Sequence, residues 1–293
     1  MTARFGQVIT AMVTPFDEQG ELDLDAAAEL AQFLVETGSD GLVLSGTTGE
    51  SPALTPSEAS ALFRRVREAV SVPILAGAGS NSTHEALALT REAAETGVDG
   101  ILSVTPYYNR PSQEGLTEHF TRVAESTDLP VVLYDIPART GRKIETSTIL
   151  RLAREVDNIV GVKDAAGDLV ETARLMAEAP DGFELYSGED ALTLPLLSVG
   201  AVGVVSVASH WAANRFAEMI ESFHKGDVET ARSVNEALME SCRFESQPDA
   251  PNPIPTKAML RVLGLRVGHC RSPMGGEPPD LEDRARGVLE GLG

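Results

Sequence analysis

The chain has 293 residues, of which 42% are hydrophobic and 23% charged, and its formal net charge is −20. These are globular values, so a disordered or fibrous protein is excluded, and the length suits one large α/β domain or two ordinary ones. Because nucleic acid binding needs clustered lysine and arginine, this acidic chain is not expected to bind it. No apolar run approaches the roughly 20 residues of a membrane helix. The amino terminus has the pattern of a strand rather than a signal peptide.

Cysteine and histidine usage argues against a disulfide framework or a metal centre. Cys242 and Cys270 are the only cysteines, and they form no CxxC pair. Two dispersed thiols in a chain of this size are typical of a reducing compartment, so we expect a cytoplasmic protein. The histidines are scattered without metal-ligand spacing; they are His84, His119, His210, His224 and His269.

Short β-branched runs alternate with helical stretches along the whole chain. The predicted strands start about 20 to 30 residues apart, which is the size of one βα unit. They cover residues 7–13, 41–45, 73–78, 100–104, 130–134, 159–163, 183–186 and 201–207. Most are apolar throughout, as expected for parallel strands that are buried on both faces.

Helix signals lie between the predicted strands. Apolar residues recur with a helical period over 24–35. Residues 55–58, TPSE, form a capping box with proline at the first helical position, and Ser82 with Glu85 suggests a second box. Three glycines stand where helices would stop; they are Gly38, Gly97 and Gly226.

Eight such units in about 210 residues favour a (β/α)8 TIM barrel over a doubly wound sheet. The remaining tail carries three further predicted helices, over 227–243, 254–263 and 281–292. We therefore divide the chain into a catalytic barrel over residues 1–225 and a C-terminal helical appendage over 226–293.

Lys163 is the most informative residue at a predicted strand end, where TIM barrels place their active sites. It is the only one of four lysines that ends an apolar strand. Period-two alternation puts Ile159, Gly161 and Lys163 on one face. If that face lines the barrel, the amine is desolvated and available as a nucleophile at neutral pH. A structural lysine paired with a buried carboxylate explains the same pattern equally well.

Other polar residues follow the predicted strand ends. Tyr134 interrupts an aliphatic run and could relay protons, although an aromatic filler of the barrel is a commoner role. Thr47 and Thr48 lie on a glycine-flanked turn that suits a small carboxylate, or they cap a helix. Arg139 could clamp a carboxylate through two hydrogen bonds, or form a surface salt bridge. The residues alone leave these alternatives open.

Seven short segments share one family pattern. They are residues 11–16 (AMVTPF), 46–51 (GTTGES), 104–115 (VTPYYNRPSQEG), 134–141 (YDIPARTG), 161–164 (GVKD), 187–191 (SGEDA) and 251–257 (PNPIPTK). Their order and spacing, nearly from end to end of the chain, resemble the dihydrodipicolinate synthase (4-hydroxy-tetrahydrodipicolinate synthase) family of pyruvate-dependent class I aldolases. This resemblance favours the nucleophilic role of Lys163.

The resemblance implies a Schiff-base mechanism without a cofactor or a metal. Lys163 would condense with pyruvate to an imine and then an enamine, which attacks L-aspartate 4-semialdehyde before a ring closes. Tyr134 would act as the acid and base. Thr47 would link it to Tyr108, which reaches in from a neighbouring subunit. The reaction would belong to lysine and diaminopimelate biosynthesis.

The same resemblance implies the substrate-binding residues and the assembly. Thr48 would hold the pyruvate carboxylate, and Gly188 and Val205 would line the site through backbone groups. Arg139 would bind the carboxylate of aspartate semialdehyde. Because Tyr108 would act across an interface, we expect a homo-oligomer, a tetramer formed by two tight dimers.

A candidate allosteric lysine site is also implied. Ser51, Asn81, Glu85 and Tyr107 match the family positions of that site. Relatives that lysine inhibits often carry histidines just after the threonine loop, where this chain has Pro56 and Ala59. We therefore do not expect strong feedback inhibition.

Two kinds of alternative function are retained. N-acetylneuraminate lyase and 2-keto-3-deoxygluconate aldolase share the fold and the Schiff-base lysine, but they usually lack an arginine at the position of Arg139. A catalytically silent, metabolite-binding barrel is also compatible with the fold alone. The presence of Lys163, Tyr134 and Thr47 argues against this second alternative.

Overall fold

A computed structural model describes residues 3–292 and shows a closed, all-parallel barrel in the order β1 to β8. Each predicted strand is present. The strands are β1 (Val8–Ala11), β2 (Gly41–Leu44), β3 (Ile74–Gly77), β4 (Gly100–Val104), β5 (Val131–Asp135), β6 (Ile159–Asp164), β7 (Glu184–Ser187) and β8 (Gly203–Ser206). The predicted (β/α)8 TIM barrel with additional C-terminal helices is therefore confirmed.

Helices follow the strands and continue beyond the barrel. They are α1 (Leu24–Glu36), α2 (Pro56–Ala69), α3 (Thr83–Ala94), α4 (Gln113–Glu125), α5 (Pro137–Thr140), α6 (Thr146–Glu155), α7 (Leu169–Glu178), α8 (Thr193–Leu197), α9 (Ser209–His224), α10 (Val228–Phe244), α11 (Ile254–Val262) and α12 (Leu281–Leu292). The last three correspond to the predicted appendage helices. Among residues 3–292, no helix is long and apolar enough to cross a membrane.

The predicted helix signals are mostly correct. Thr55 and Glu58 form the reciprocal capping box at the start of α2, and the three predicted stop glycines have positive φ. The second predicted box is wrong. Ser82 does cap α3, but the Glu85 carboxylate accepts a hydrogen bond from the Ser80 hydroxyl at 2.8 Å instead of reaching back to Ser82.

Buried side chains form one layer inside the barrel and a second layer between the strands and the helices. The inner cluster takes alternate residues, among them Val43, Leu75 and Val132, while their strand neighbours pack in an outer cluster with the helices. This alternation breaks in β6, where the register with β5 shifts at Ile159. Ile159 consequently belongs to the outer cluster, and Val160 packs against the inner one. The prediction that Ile159 shares a face with Lys163 is wrong, because a bulge separates them.

Candidate active site

Lys163 and Tyr134 lie side by side at the carboxyl ends of adjacent strands. They are direct partners in the register of β5 and β6. The Lys163 Nζ atom lies 4.3 Å from the centre of the Tyr134 ring. Each side chain is 5% exposed. The barrel therefore places an amine and a phenol ring in contact, largely shielded from bulk water.

The Lys163 amine has no carboxylate partner in the part of the chain that the structure describes. No acidic oxygen of residues 3–292 lies within ion-pair distance of it. Glu189, at the mouth of the barrel, interacts with it electrostatically over a longer distance. Gly188 makes room for the lysine, since a Cβ atom there would lie 2.9 Å from Lys163 Cγ and 3.0 Å from Cε. A side chain at position 188 would thus displace the amine-bearing chain.

The threonine loop, residues 46–51, lies beside this pair. Thr47 and Tyr134 line the same small cavity of about 30 Å³, which is large enough for a water molecule. Thr48 is buried, and its hydroxyl oxygen accepts a hydrogen bond from Asn252 Nδ2 at 2.9 Å. Backbone bonds from Glu50 N to Thr47 O and from Ser51 N to Gly46 O close the loop on itself.

Charged groups stand at the mouth of the barrel. Arg139 lies on the short helix α5, is exposed, and its guanidinium forms no salt bridge or side-chain hydrogen bond within residues 3–292. Partial burial and the neighbouring Asp190 raise the pKa of the Glu189 carboxyl, whereas the charges of Lys163 and Arg139 act to lower it. Lys163 and Arg139 therefore both stabilise a negative charge on Glu189 at the entrance of the barrel.

The remaining predicted site residues fall into two groups. Val205 is buried in β8 and belongs to the same inner cluster as Tyr134. Tyr108 is different: its side chain is 90% exposed, and its φ of +73° places it in the left-handed region, which is uncommon for a tyrosine. The fold of one chain therefore leaves Tyr108 projecting into solvent.

The candidate allosteric residues mostly meet in one cleft. A cavity of about 340 Å³ is lined by Ser51, Glu85 and Tyr107 together with Pro56 and Ala59. Asn81 does not line it; its carbonyl oxygen accepts a hydrogen bond from Asn109 Nδ2 at 2.8 Å instead. The cleft thus offers two carboxylates, Glu85 and Glu92, which already accept hydrogen bonds from the Ser80 and Ser60 hydroxyls, and several apolar walls.

His210 and Asp190 have structural roles. His210 Nε2 accepts a hydrogen bond from Val13 N, Nδ1 bonds to Val207 O, and burial lowers the pKa of this imidazole to about 4. Asp190 is buried after β7 and accepts hydrogen bonds from Ser206 Oγ and from two backbone amides after β8. Sequence reasoning gave no such role to Asp190, because its partners come from a different βα unit.

Lys257 and Asn252 were also missed, although both belong to a segment that carried the family resemblance. Lys257 is fully buried and pairs with Glu50 of the threonine loop at 2.7 Å. A signal was present, since this lysine stands inside the apolar stretch of α11. A lysine in an apolar helix predicts a buried partner, but not which one.

The closed barrel with a buried lysine at the end of its sixth strand and a phenol beside it defines a lyase of the class I aldolase type. The model of the dihydrodipicolinate synthetase family matches residues 4–289. The chain therefore belongs to this family.

Relatives within the family are similar over nearly their whole length. The 4-hydroxy-tetrahydrodipicolinate synthase of Moorella thermoacetica is 47% identical over 292 residues, covering 99% of both chains. The crystal structure of a dihydrodipicolinate synthase from Bacillus anthracis has a TM-score of 0.94 at 43% identity, covering 99% of both chains. The enzyme from Cyanidioschyzon merolae, solved with lysine bound, has a TM-score of 0.95 at 46% identity and 98% coverage of each chain.

Proposed function

We propose that the chain condenses pyruvate with L-aspartate 4-semialdehyde, which is the reaction of 4-hydroxy-tetrahydrodipicolinate synthase in lysine and diaminopimelate biosynthesis. The observation that carries this proposal is the Lys163 amine, which is buried, has no carboxylate partner within residues 3–292, and contacts the Tyr134 ring. A primary amine in a pocket of this kind is the nucleophile that Schiff-base chemistry with a keto acid requires.

The steps follow from the chemistry of that amine. The Lys163 nitrogen adds to the keto carbon of pyruvate, and loss of one water gives a protonated imine. The imine withdraws electrons, so a methyl proton leaves and an enamine forms. The enamine carbon attacks the aldehyde carbon of aspartate semialdehyde. The substrate's own amino group then displaces Lys163 from the imine carbon, which closes the ring and frees the enzyme.

The predicted roles are assigned to residues around this path. Tyr134 passes the protons of carbinolamine formation and dehydration, with Thr47 beside it on the shared cavity. Thr48 and the loop backbone hold the pyruvate carboxylate. Gly188 leaves space for the lysine, and its backbone lines the site with that of Val205. Confinement keeps the enamine carbon close to the aldehyde.

Arg139 decides between this reaction and related aldol cleavages. Its guanidinium is exposed at the mouth and has no partner among the described residues, so it is available to a carboxylate. A short aldehyde that carries a carboxylate satisfies this group. The polyol chains cleaved by N-acetylneuraminate lyase and 2-keto-3-deoxygluconate aldolase would instead require hydroxyl partners there.

Borohydride trapping tests the proposal directly. The protein is reduced in the presence of pyruvate, the adduct is read by intact mass, and peptide mapping locates it. We expect one pyruvate on Lys163, no adduct in Lys163→Ala, and normal labelling in Lys225→Ala, which alters an exposed lysine at the end of α9. Absence of an adduct would instead favour a non-catalytic binding barrel. A label on another lysine would refute the assigned mechanism.

A second assay separates the related reactions. Turnover is compared for pyruvate with aspartate semialdehyde, for sialic acid, and for 2-keto-3-deoxygluconate. The proposal requires the first to be fastest. Faster cleavage of either sugar acid would reassign the chain to that branch of the aldolases.

We also propose a cytoplasmic homo-oligomer, a tetramer formed by two tight dimers. The projecting Tyr108 supports the assembly, because a phenol that is 90% exposed can enter the site of a second copy. The cytoplasmic location is supported by the two cysteines, which are both free thiols.

The cleft of Ser51, Glu85 and Tyr107 is proposed as a weak lysine site at most. Its two carboxylates, Glu85 and Glu92, each already accept a hydrogen bond from a serine hydroxyl, and the positions of Pro56 and Ala59 add no polar group. Titration of activity with L-lysine tests this proposal. We expect no inhibition below millimolar lysine, because ion pairs to carboxylates in an open cleft are weak; inhibition at micromolar lysine would contradict the proposal.

A further inference from the structure

We propose that Asn252 is a positioning residue that sets the direction in which the Thr48 hydroxyl donates its proton. This inference rests on the proposed function, in which Thr48 contacts the carboxylate of pyruvate. Asn252 itself comes from the segment before α11, outside the predicted barrel, and nothing in the reaction scheme above requires it.

The contact is a buried, oriented hydrogen bond. Asn252 Nδ2 lies 2.9 Å from Thr48 Oγ1, and the two residues are 7% and 3% exposed. The other end of the amide, Oδ1, accepts a hydrogen bond from the Thr256 hydroxyl at 3.3 Å. In this structure Nδ2 of the amide therefore faces Thr48 and Oδ1 faces Thr256. An amide nitrogen can only donate, so the Thr48 oxygen must be the acceptor.

This orientation has a consequence for the Thr48 proton. A hydroxyl has one proton, and the bond from Asn252 occupies an oxygen lone pair rather than that proton. Within residues 3–292 the Thr48 hydroxyl has no other hydrogen-bond partner. The proton is therefore left for a group that enters the site. A carboxylate is the natural acceptor, because hydrogen bonds to an ionised oxygen are the strong ones.

The segment that carries Asn252 is itself held to the threonine loop at a second point. Lys257, one turn further into α11, forms its ion pair with Glu50, which stands two residues after Thr48. Glu50 has a φ of +55°, a strained conformation for a glutamate. Two contacts between the same two segments fix their relative position, so the Asn252 amide and the Thr48 hydroxyl stay aligned.

The test exchanges the direction of the hydrogen bond without changing its shape. In Asn252→Asp an ionised oxygen replaces Nδ2, and the Thr48 proton turns toward it and away from the substrate. The rate of borohydride trapping is measured in each preparation with pyruvate and with pyruvamide, in which an amide replaces the carboxylate. We expect the ratio of the two rates to fall about tenfold or more, since a hydrogen bond to a charged group is lost.

A ratio measured within one preparation is insensitive to the fraction of folded protein. Should Asn252→Asp fail to fold, Asn252→Ala, which removes the donor, gives the same comparison. An unchanged ratio in the folded variant would show that Asn252 has only a structural role and would overturn the inference. Failure of the wild-type protein to be trapped by pyruvate would instead refute the proposed function itself.

A double-mutant cycle checks that the effect passes through the hydroxyl. In a Thr48→Val background, the Asn252→Asp change should no longer alter the pyruvate to pyruvamide ratio. In a Thr48→Ser background, which keeps the hydroxyl, it should alter the ratio as in the wild type. Equal effects in the valine and serine backgrounds would mean that Asn252 acts by another route and would also overturn the inference.

Discussion

The Lys257 ammonium lies 2.7 Å from Glu50 Oε1, and the two side chains are 0% and 2% exposed. The contact is an ion pair rather than an aligned hydrogen bond. The ammonium donates to His269 O at 3.0 Å and lies 4.2 Å from the centre of the Phe16 ring. Burial lowers the pKa of Lys257, and the charge of Glu50 opposes that shift. The pair joins the appendage to the threonine loop.

Removal of one partner should cost much more than removal of both. Lys257→Met leaves the Glu50 charge buried without compensation, so we expect the free energy of unfolding to fall by about 3–5 kcal/mol. The double variant Glu50→Gln/Lys257→Met should lose clearly less, as measured by denaturant unfolding. Lys225→Met, which breaks an exposed pair with Glu221, is the control and should unfold like the wild type. Equal losses in the single and double variants would contradict this explanation.

Two buried tyrosines of the barrel should differ in what their hydroxyls do. Tyr186 is fully buried, its hydroxyl donates to Glu184 Oε2 at 2.8 Å, and burial raises its pKa above the ordinary value. Tyr134 instead contacts the Lys163 amine. We expect Tyr134→Phe to lower kcat by about 10²–10⁴-fold, whereas Tyr186→Phe should lower stability but leave kcat nearly unchanged. Steady-state kinetics measures kcat for both variants. Equal losses of kcat in Tyr134→Phe and Tyr186→Phe would refute the assignment.

Arg139 should affect one substrate and not the other. Arg139→Gln removes the cation expected to bind the carboxylate of aspartate semialdehyde, so kcat/KM for that substrate should fall about 10- to 100-fold. Borohydride trapping of pyruvate should be unchanged, because that step precedes the aldehyde. Arg232→Gln, on the outer helix α10, is the matched control. A parallel loss of trapping would show that Arg139 supports the lysine rather than the second substrate.

Tyr108 should act on the site of a partner subunit. Tyr108→Phe and Lys163→Ala are each expected to be nearly inactive. When the two variants are denatured together and refolded as a mixture, a hybrid dimer has one site with both Lys163 and a neighbour's Tyr108. Activity should then reappear in the mixture. If mixing restores nothing, while each variant refolds and assembles, then Tyr108 serves its own chain or no site.

The barrel was predictable because its signals are local. Apolar runs, capping residues and stop glycines repeat at the spacing of a βα unit, so strand number, order and approximate limits follow from the sequence. The bulge in β6 was not predictable, since it depends on how Ile159 fits between its neighbours in three dimensions. Lys163 was found despite this, because its position at the strand end does not depend on the register upstream.

The supports of the site were missed because they are non-local. Thr48 and Asn252 are 204 residues apart, and Glu50 and Lys257 meet through the same long connection. A helical period predicts that one face of α11 is buried, but it does not say which loop covers that face. For Lys163, the sequence left open the role of a structural lysine paired with a buried carboxylate. The structure shows that arrangement at Lys257 instead.

The contribution of Asp135 to the free energy of unfolding should fall as the pH rises. It directly follows Tyr134, is 2% exposed, and pairs in register with Asp164. Burial raises the pKa of its carboxyl to about 6, and Asp164 acts in the same direction. A hydrogen bond from Ile144 N and the charge of Lys143, 3.7 Å away, oppose the shift.

The sign of the effect follows from proton linkage. An aspartate in the unfolded chain ionises near pH 4, while Asp135 in the folded protein keeps its proton until about pH 6. Stability from this group is therefore present below about pH 4 and is lost as the pH rises toward 6.

Asp135→Asn keeps the acceptor for Ile144 N and cannot ionise. We expect it to match the wild type near pH 4 and to exceed its unfolding free energy by up to about 3 kcal/mol at about pH 7.5. Denaturant unfolding at both pH values measures the difference, in which the titration of the buried histidines cancels. A less stable variant at the higher pH would mean that the pair with Lys143 outweighs the burial of the carboxylate.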